Sequence, residues 1–297
     1  MAGPDPLVTV GAAVLGGAAL LGGLATAVFL GRPGVTQLLD NLRTRPRETL
    51  WPFGLLGGIL VVNDAARDVA PEVSRLVGIN ITGAIYAAEG AFVAHVQSIA
   101  TPALTAVLSA TYLSGYVVLL AFPLVAYAAL SDLRPLERAA VAVSVNYAVG
   151  LVLYALFISY GPRNMLPDLV SPLLYEQYPW SKILTGQVNT NTNVFPSLHT
   201  SLSVTVAVLS IQTREQYPYW PAVAIPVAAM VVFSTMYLGI HWATDVVAGA
   251  LLGVGSVAVA NRWRRSPSLE EGDGAGGDAG AQDGADGDDE QHDDDDP

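Results

Sequence analysis

The chain has 297 residues, 52% of them hydrophobic, with a mean hydropathy of +0.44 and a formal net charge of −12. Half of its 26 acidic residues fall in 266–297, which holds no Lys or Arg, so the rest of the chain is close to neutral and the charge describes an appended, solvated segment. Cysteine is absent, which excludes disulfides, thiolate metal sites and a cysteine nucleophile. No Gly-rich nucleotide loop, heptad run or basic patch for nucleic acid is present.

A bilayer is crossed by about 20 apolar residues in a helix. Residues 7–30 carry no charge and no basic residue precedes them, unlike a secretory signal, so they read as a retained span. Residues 49–63 are short and Gly-rich, the weakest span. Residues 64–102 scatter Asp64, Arg67, Asp68, Glu72, Arg75 and Glu89 among apolar positions, which predicts interfacial helices. Further spans follow over 103–130, 139–160, 198–213, 216–238 and 242–260. The expected fold is all-α, a polytopic membrane helical bundle of about seven spans. Trp220, Trp242 and Trp263 fall near span ends, as interfacial anchors do. Gly249 and Gly253 have the spacing that lets helices pack closely. Residues 266–297 are mostly Gly, Asp and Ala; they cannot bury enough surface to fold and are expected to be disordered.

Arginine placement orients the spans. Arg32, Arg43, Arg45 and Arg47 follow the first span, Arg134 and Arg138 the third, Arg214 the fifth, and Arg262, Arg264 and Arg265 the last. With about seven spans every group falls on the cytoplasmic side. The acidic tail is then cytoplasmic, and 161–197 and the turn 238–241 share the outer face of a cell membrane. Dropping 49–63 would split the basic groups between the two sides.

The polar residues of the membrane part gather in that outer region. His241 and Asp245 are four apart at a helix start and so share a face. An Asp in a span costs roughly 2.5–3.5 kcal/mol on insertion scales unless partnered. Paired with one nitrogen of His241, it would fix the tautomer and leave the other nitrogen as a nucleophile. The blander reading is a pair that merely satisfies itself. His199 follows Pro196 and Ser197 at the start of another span. Pro196 suits a first helical turn, whose free N–H groups bind anions; Ser197 adds a hydroxyl donor, and His199 can serve as general acid. Arg163, where the fourth span ends, is either a snorkelling interfacial Arg or a bidentate phosphate clamp. Asn164 and Lys182, the only lysine, lie in the same loop.

Pro196-Ser197-Leu198-His199, then Tyr237-Leu238-Gly239-Ile240-His241, then Asp245, resemble the second and third signature motifs of the type 2 phosphatidic acid phosphatase superfamily. The resemblance covers roughly 50–260 and implies a six-helix core formed by spans two to seven, with one extra N-terminal transmembrane helix. It divides the chain into 1–48, a membrane-embedded catalytic core over 49–265, and the tail 266–297. It implies that His241 attacks phosphorus to form a phosphohistidine and that Asp245 orients it. His199 would protonate the leaving group and later activate water or an alcohol, while Arg163 and Ser197 hold the non-bridging oxygens. The substrate would be a lipid phosphate, and no metal or other cofactor is implied.

The chain departs from the common pattern in three places. The first motif keeps only Gly161-Pro162-Arg163-Asn164, with no Lys nearby. Leu198 stands where Gly is usual, and Thr235 where an Arg usually precedes the His by six residues. These changes resemble the inositol phosphorylceramide synthase branch, whose members transfer phospho-head-groups between lipids. The residues by themselves leave two other readings open. His199, His241 and Asp245 form a legitimate ligand set for a metal-dependent intramembrane hydrolase. Buried ionisable residues also mark transport paths, so a transporter or inactive relative fits as well.

Overall fold

The computed structural model describes residues 6–179, 181–182 and 193–263. The acidic tail lies outside the described residues.

Helix α1 (Pro6–Ala25) passes through a π-helical turn, Thr26–Leu30, into α2 (Gly31–Thr44). Next come α3 (Pro46–Val77), α4 (Thr82–Glu89) and α5 (Phe92–Gln97). Helix α6 (Pro102–Ala110) continues through a second π-turn, Thr111–Gly115, into α7 (Tyr116–Ala128). Then follow α8 (Arg134–Leu156), α9 (Pro162–Met165), α10 (Leu173–Gln177), α11 (Leu198–Gln212), α12 (Trp220–Tyr237) and α13 (Ala243–Trp263). Among the described residues, strands are confined to β1 (Ile79–Asn80) and β2 (Phe157–Ile158), a parallel pair that ties the end of α3 to the end of α8. Among the described residues, six helical stretches are long and apolar enough to cross a bilayer: Val14–Thr44, Pro46–Ala66, Pro102–Ala128, Arg134–Leu156, Trp220–Tyr237 and Ala243–Trp263. The chain is an all-α multi-pass membrane bundle.

Two expected elements come out differently. The short span expected at 49–63 is the start of a 32-residue helix. Its charged residues from Asp64 onward lower the hydropathy without breaking the helix. The expected fifth span, α11, has 15 residues and runs about 22 Å, short of the roughly 30 Å hydrocarbon core. It is flanked by α7, α8, α12 and α13. That central position explains its composition, because Thr200, Ser201, Ser203, Thr205 and Ser210 are all buried against other helices rather than facing lipid. Asn146 on α8 donates to Thr205 Oγ1 at 3.0 Å and accepts from Ser201, so polar side chains join α8 to α11.

Glycine permits a close helix contact. A Cβ on Gly249 would lie 2.4 Å from the carbonyl oxygen of Ser197, and one on Gly253 2.4 Å from that of Ser201. Helices α11 and α13 therefore touch backbone to backbone and run in the same direction.

Tryptophan placement differs from expectation. Trp220 packs inside the core, 5.5 Å from the Phe29 ring and 4.8 Å from Phe122. Trp242 is fully buried and donates its indole N–H to the Tyr160 carbonyl at 2.8 Å. Only Trp263 of the three is exposed as an anchor would be.

At one end of the bundle, Asn41 donates to the carbonyls of Ala128 and Leu130 at 2.9 and 2.8 Å, and Arg45 reaches the Ser131 carbonyl at 3.1 Å. The basic groups 43–47 and 134–138 thus share an end. The segments holding Arg163, His199 and His241 meet at the other.

Candidate active site

The turn before α13 builds one half of the site. Thr235, the residue in place of the usual Arg, is buried, and its hydroxyl turns back onto the Val232 carbonyl at 2.7 Å. Its own carbonyl accepts the N–H groups of Ile240 and His241 at 3.0 and 3.1 Å. Gly239 makes the turn with φ of +71°, a conformation that L side chains rarely adopt. A Cβ there would also meet Val170 Cγ1 at 2.8 Å. Gln97 braces the same turn, donating to the carbonyls of Tyr237 and Ser171 at 2.9 Å each.

This geometry presents His241 to Asp245. Nδ1 of His241 lies 3.4 Å from Oδ2 of Asp245, and both side chains are buried. The same oxygen accepts the Trp242 N–H at 2.9 Å, so the carboxylate caps its own helix while it holds the imidazole. Nε2 is the ring nitrogen that Asp245 leaves unengaged. Asp245 Oδ1 is buried with no hydrogen-bond partner among the described residues.

Helix α11 brings the second half. The bond from Ser197 N–H to the Asp245 carbonyl, 3.1 Å long, joins the two motifs directly. Ser197, not Pro196, starts the helix. Ser197 is the N-cap, and its side chain accepts from the Thr200 N–H at 3.3 Å and the Thr200 hydroxyl at 3.0 Å. Pro196 lies before the cap rather than in the first turn, correcting the expectation for it. The Ser197 oxygen is occupied as an acceptor, and its hydroxyl proton remains available to donate. Leu198 fits where Gly is usual because α8 supplies the missing space: a Cβ on Gly150 would lie 2.7 Å from Leu198 Cδ2. The His199 ring centroid is 6.5 Å from that of His241, so one phosphate group can reach both.

Arg163 arrives from the short helix α9. Its backbone N–H donates to the Gly239 carbonyl at 3.2 Å, which fixes it beside the His241 turn. Its guanidinium stacks 4.6 Å from the Tyr175 ring centroid and donates Nη2 to the Tyr175 hydroxyl at 3.0 Å. Nη1 is buried without a partner among the described residues. Lys182 is exposed.

Three residues of the site were not singled out from the sequence. Glu89 accepts from the N–H groups of Ala243 and Thr244 at 2.9 and 2.5 Å, capping the helix that carries Asp245. Its position in a charged stretch made it look interfacial. Tyr112 and Tyr116 each place a ring 4.5 Å from His199. Their four-residue spacing in an apolar run was the available signal, and it reads as ordinary core. Among the described residues, no three His, Asp or Glu side chains are grouped as metal ligands.

No curated protein and no solved structure matches the chain. Residues 85–259 match the sequence profile of the PAP2 superfamily, a stretch that holds every motif residue named above. With more than half of its length inside that match, the chain belongs to the PAP2 superfamily.

Proposed function

We propose that the protein is a membrane phosphotransferase that moves a phospho-head-group between lipids through a phosphohistidine. The observation that carries this reading is the pairing of a carboxylate-held His241 with a second imidazole, His199, 6.5 Å away. In the first half-reaction Nε2 of His241 attacks phosphorus. The bond to the leaving alcohol breaks, its electron pair goes to that oxygen, and His199 supplies the proton. In the second half-reaction neutral His199 takes a proton from an acceptor alcohol, whose oxygen displaces His241. Arg163 and the Ser197 hydroxyl hold the non-bridging oxygens. Asp245 keeps His241 in the productive tautomer and stabilises positive charge on its ring.

The choice of a phosphodiester rests on charge. Thr235 is neutral and buried where an Arg is usual, and no Lys accompanies Arg163. A pocket with so little positive charge suits a monoanionic diester better than a dianionic monoester. The arginine distribution supports a topology with this end of the bundle on the outer face of the cell membrane and the tail inside.

The test is a mass-spectrometric screen of the purified full chain in vesicles with EDTA present. Phosphatidylinositol and phosphatidate are offered as donors, each with and without a long-chain lipid alcohol. Head-group transfer from phosphatidylinositol, absent in His241→Ala, is the expected result. Phosphate release from phosphatidate without any transfer would make the protein a phosphatase. Activity lost in EDTA and restored by zinc would replace the mechanism with a metal-dependent one. Full activity in His241→Ala would overturn it.

A further inference from the structure

His199 and His241 are held in different ways. His241 has a carboxylate on its ring. No side chain among the described residues hydrogen-bonds to the ring of His199. What touches that ring is aromatic: Tyr112 stacks on it at 4.5 Å with 25° between the planes, and Tyr116 packs at 4.5 Å with a tilt of 40°.

The two tyrosines are themselves fixed. Tyr112 is buried in a cluster with Leu108, Leu174, Tyr237, Leu238 and Ile240, the wall that also supports the His241 turn. Tyr112 sits within the π-turn Thr111–Gly115, and the N–H of Tyr116 closes that turn on the Thr111 carbonyl. Such turns inside long helices are rare and recur at functional sites. Tyr175, which carries Arg163, packs against the same cluster. One aromatic assembly therefore connects the arginine to the His199 ring.

We propose that Tyr112 and Tyr116 are positioning residues whose ring faces aim the His199 imidazole at the leaving-group oxygen. The inference rests on the role given to His199 above. An acid must lie within hydrogen-bond reach of the oxygen that receives its proton, and an imidazole with no bonded partner keeps its orientation only through packing. A misplacement of about 1 Å can cost about a hundredfold in rate.

The test separates proton donation from every other function of the site. The full chain in vesicles is assayed on phosphatidylinositol, whose alkoxide leaving group needs a proton, and on hexadecyl p-nitrophenyl phosphate, whose nitrophenolate departs without one. Replacing both tyrosines by Leu is expected to lower the single-turnover rate of leaving-group release, which excludes the second half-reaction, about 30- to 100-fold on the first substrate and less than about threefold on the second. Replacing both by Phe keeps the rings and both activities. His199→Ala shows the same selectivity with a larger loss. Equal losses on the two substrates in the leucine variant, or no loss, overturn the positioning role. If His199→Ala itself lowers both equally, His199 is not the acid, and the proposed mechanism falls along with this inference. Should the double variant fail to assemble, Tyr116→Leu alone, at the half-buried position, decides by the same comparison.

Discussion

The backbone carbonyl of Asp245 accepts the N–H of Ser197 at 3.1 Å, so the helix that orients one histidine also holds the start of the helix that carries the other. The distance between His199 and His241 is therefore set by how closely α11 and α13 approach.

That approach depends on Gly249. An added methyl meets the Ser197 carbonyl oxygen at 2.4 Å, a backbone atom that cannot rotate away. Gly249→Ala is expected to cost about 1–3 kcal/mol and to lower activity at least tenfold, about what a sub-ångström shift of a reacting group costs. Gly255, on the same helix with nothing within 4 Å, is the control, and Gly255→Ala should leave both unchanged. Thermal unfolding in detergent beside initial rates decides it; equal behaviour of the two variants would mean that the contact does not set the site.

Glu89 acts on the same helix from outside. Glu89→Ala leaves the N–H groups of Ala243 and Thr244 without their cap, at a cost of about 1 kcal/mol. Because Asp245 lies in the uncapped turn, kcat should fall more than the loss of stability accounts for, with Glu89→Gln intermediate. Wild-type kcat and unfolding temperature in Glu89→Ala would refute this.

Arg163 supplies a charged donor whose Nη1 is buried and unpartnered among the described residues. Arg163→Ala should lower kcat/KM roughly 10- to 100-fold, the equivalent of losing about 1.5–3 kcal/mol from a charged hydrogen bond. Arg163→Lys should recover little, since an ammonium cannot reproduce the fork. Tyr175→Phe keeps the stack and loses the 3.0 Å bond, so a loss of no more than a few-fold is expected. Steady-state kinetics on a lipid phosphodiester measure all three.

Covalent trapping isolates the His241–Asp245 pair. With donor radiolabelled in its phosphate and a denaturing alkaline quench, His241→Ala should take up no alkali-stable, acid-labile label. Asp245→Asn should form the phosphoenzyme about a hundredfold or more slowly, because the tautomer is no longer held. Normal labelling in Asp245→Asn would deny Asp245 an orienting role.

The sequence carried the bundle and the placement of His199, His241 and Asp245 because hydropathy and a few fixed spacings encode them. It carried less of what supports them. Helix α3 keeps its helical conformation through Asp64 and Glu72, and hydropathy alone cannot see a helix that outlasts its apolar stretch. Trp242 looks like an anchor because it sits at a span end, yet its burial depends on Tyr160, distant in sequence. Tyr112 and Tyr116 are two aromatics in an apolar run until tertiary packing sets His199 against them. Glu89 gains its role from Ala243 and Thr244, more than 150 positions away.

The pairing of Ser197 with Gly249 and Ser201 with Gly253 fixes an offset between α11 and α13. Ala243, the first residue of α13, precedes Gly249 by six residues, about 9 Å along the axis. Over that distance α13 stands beside the segment that enters α11, where Val194 clusters with Trp242 and the Ser197 N–H bonds to the Asp245 carbonyl. A slip of α11 past α13 by one residue would move His199 about 1.5 Å along the axis. The two glycines thus act as a register stop that sets the level of one histidine against the other.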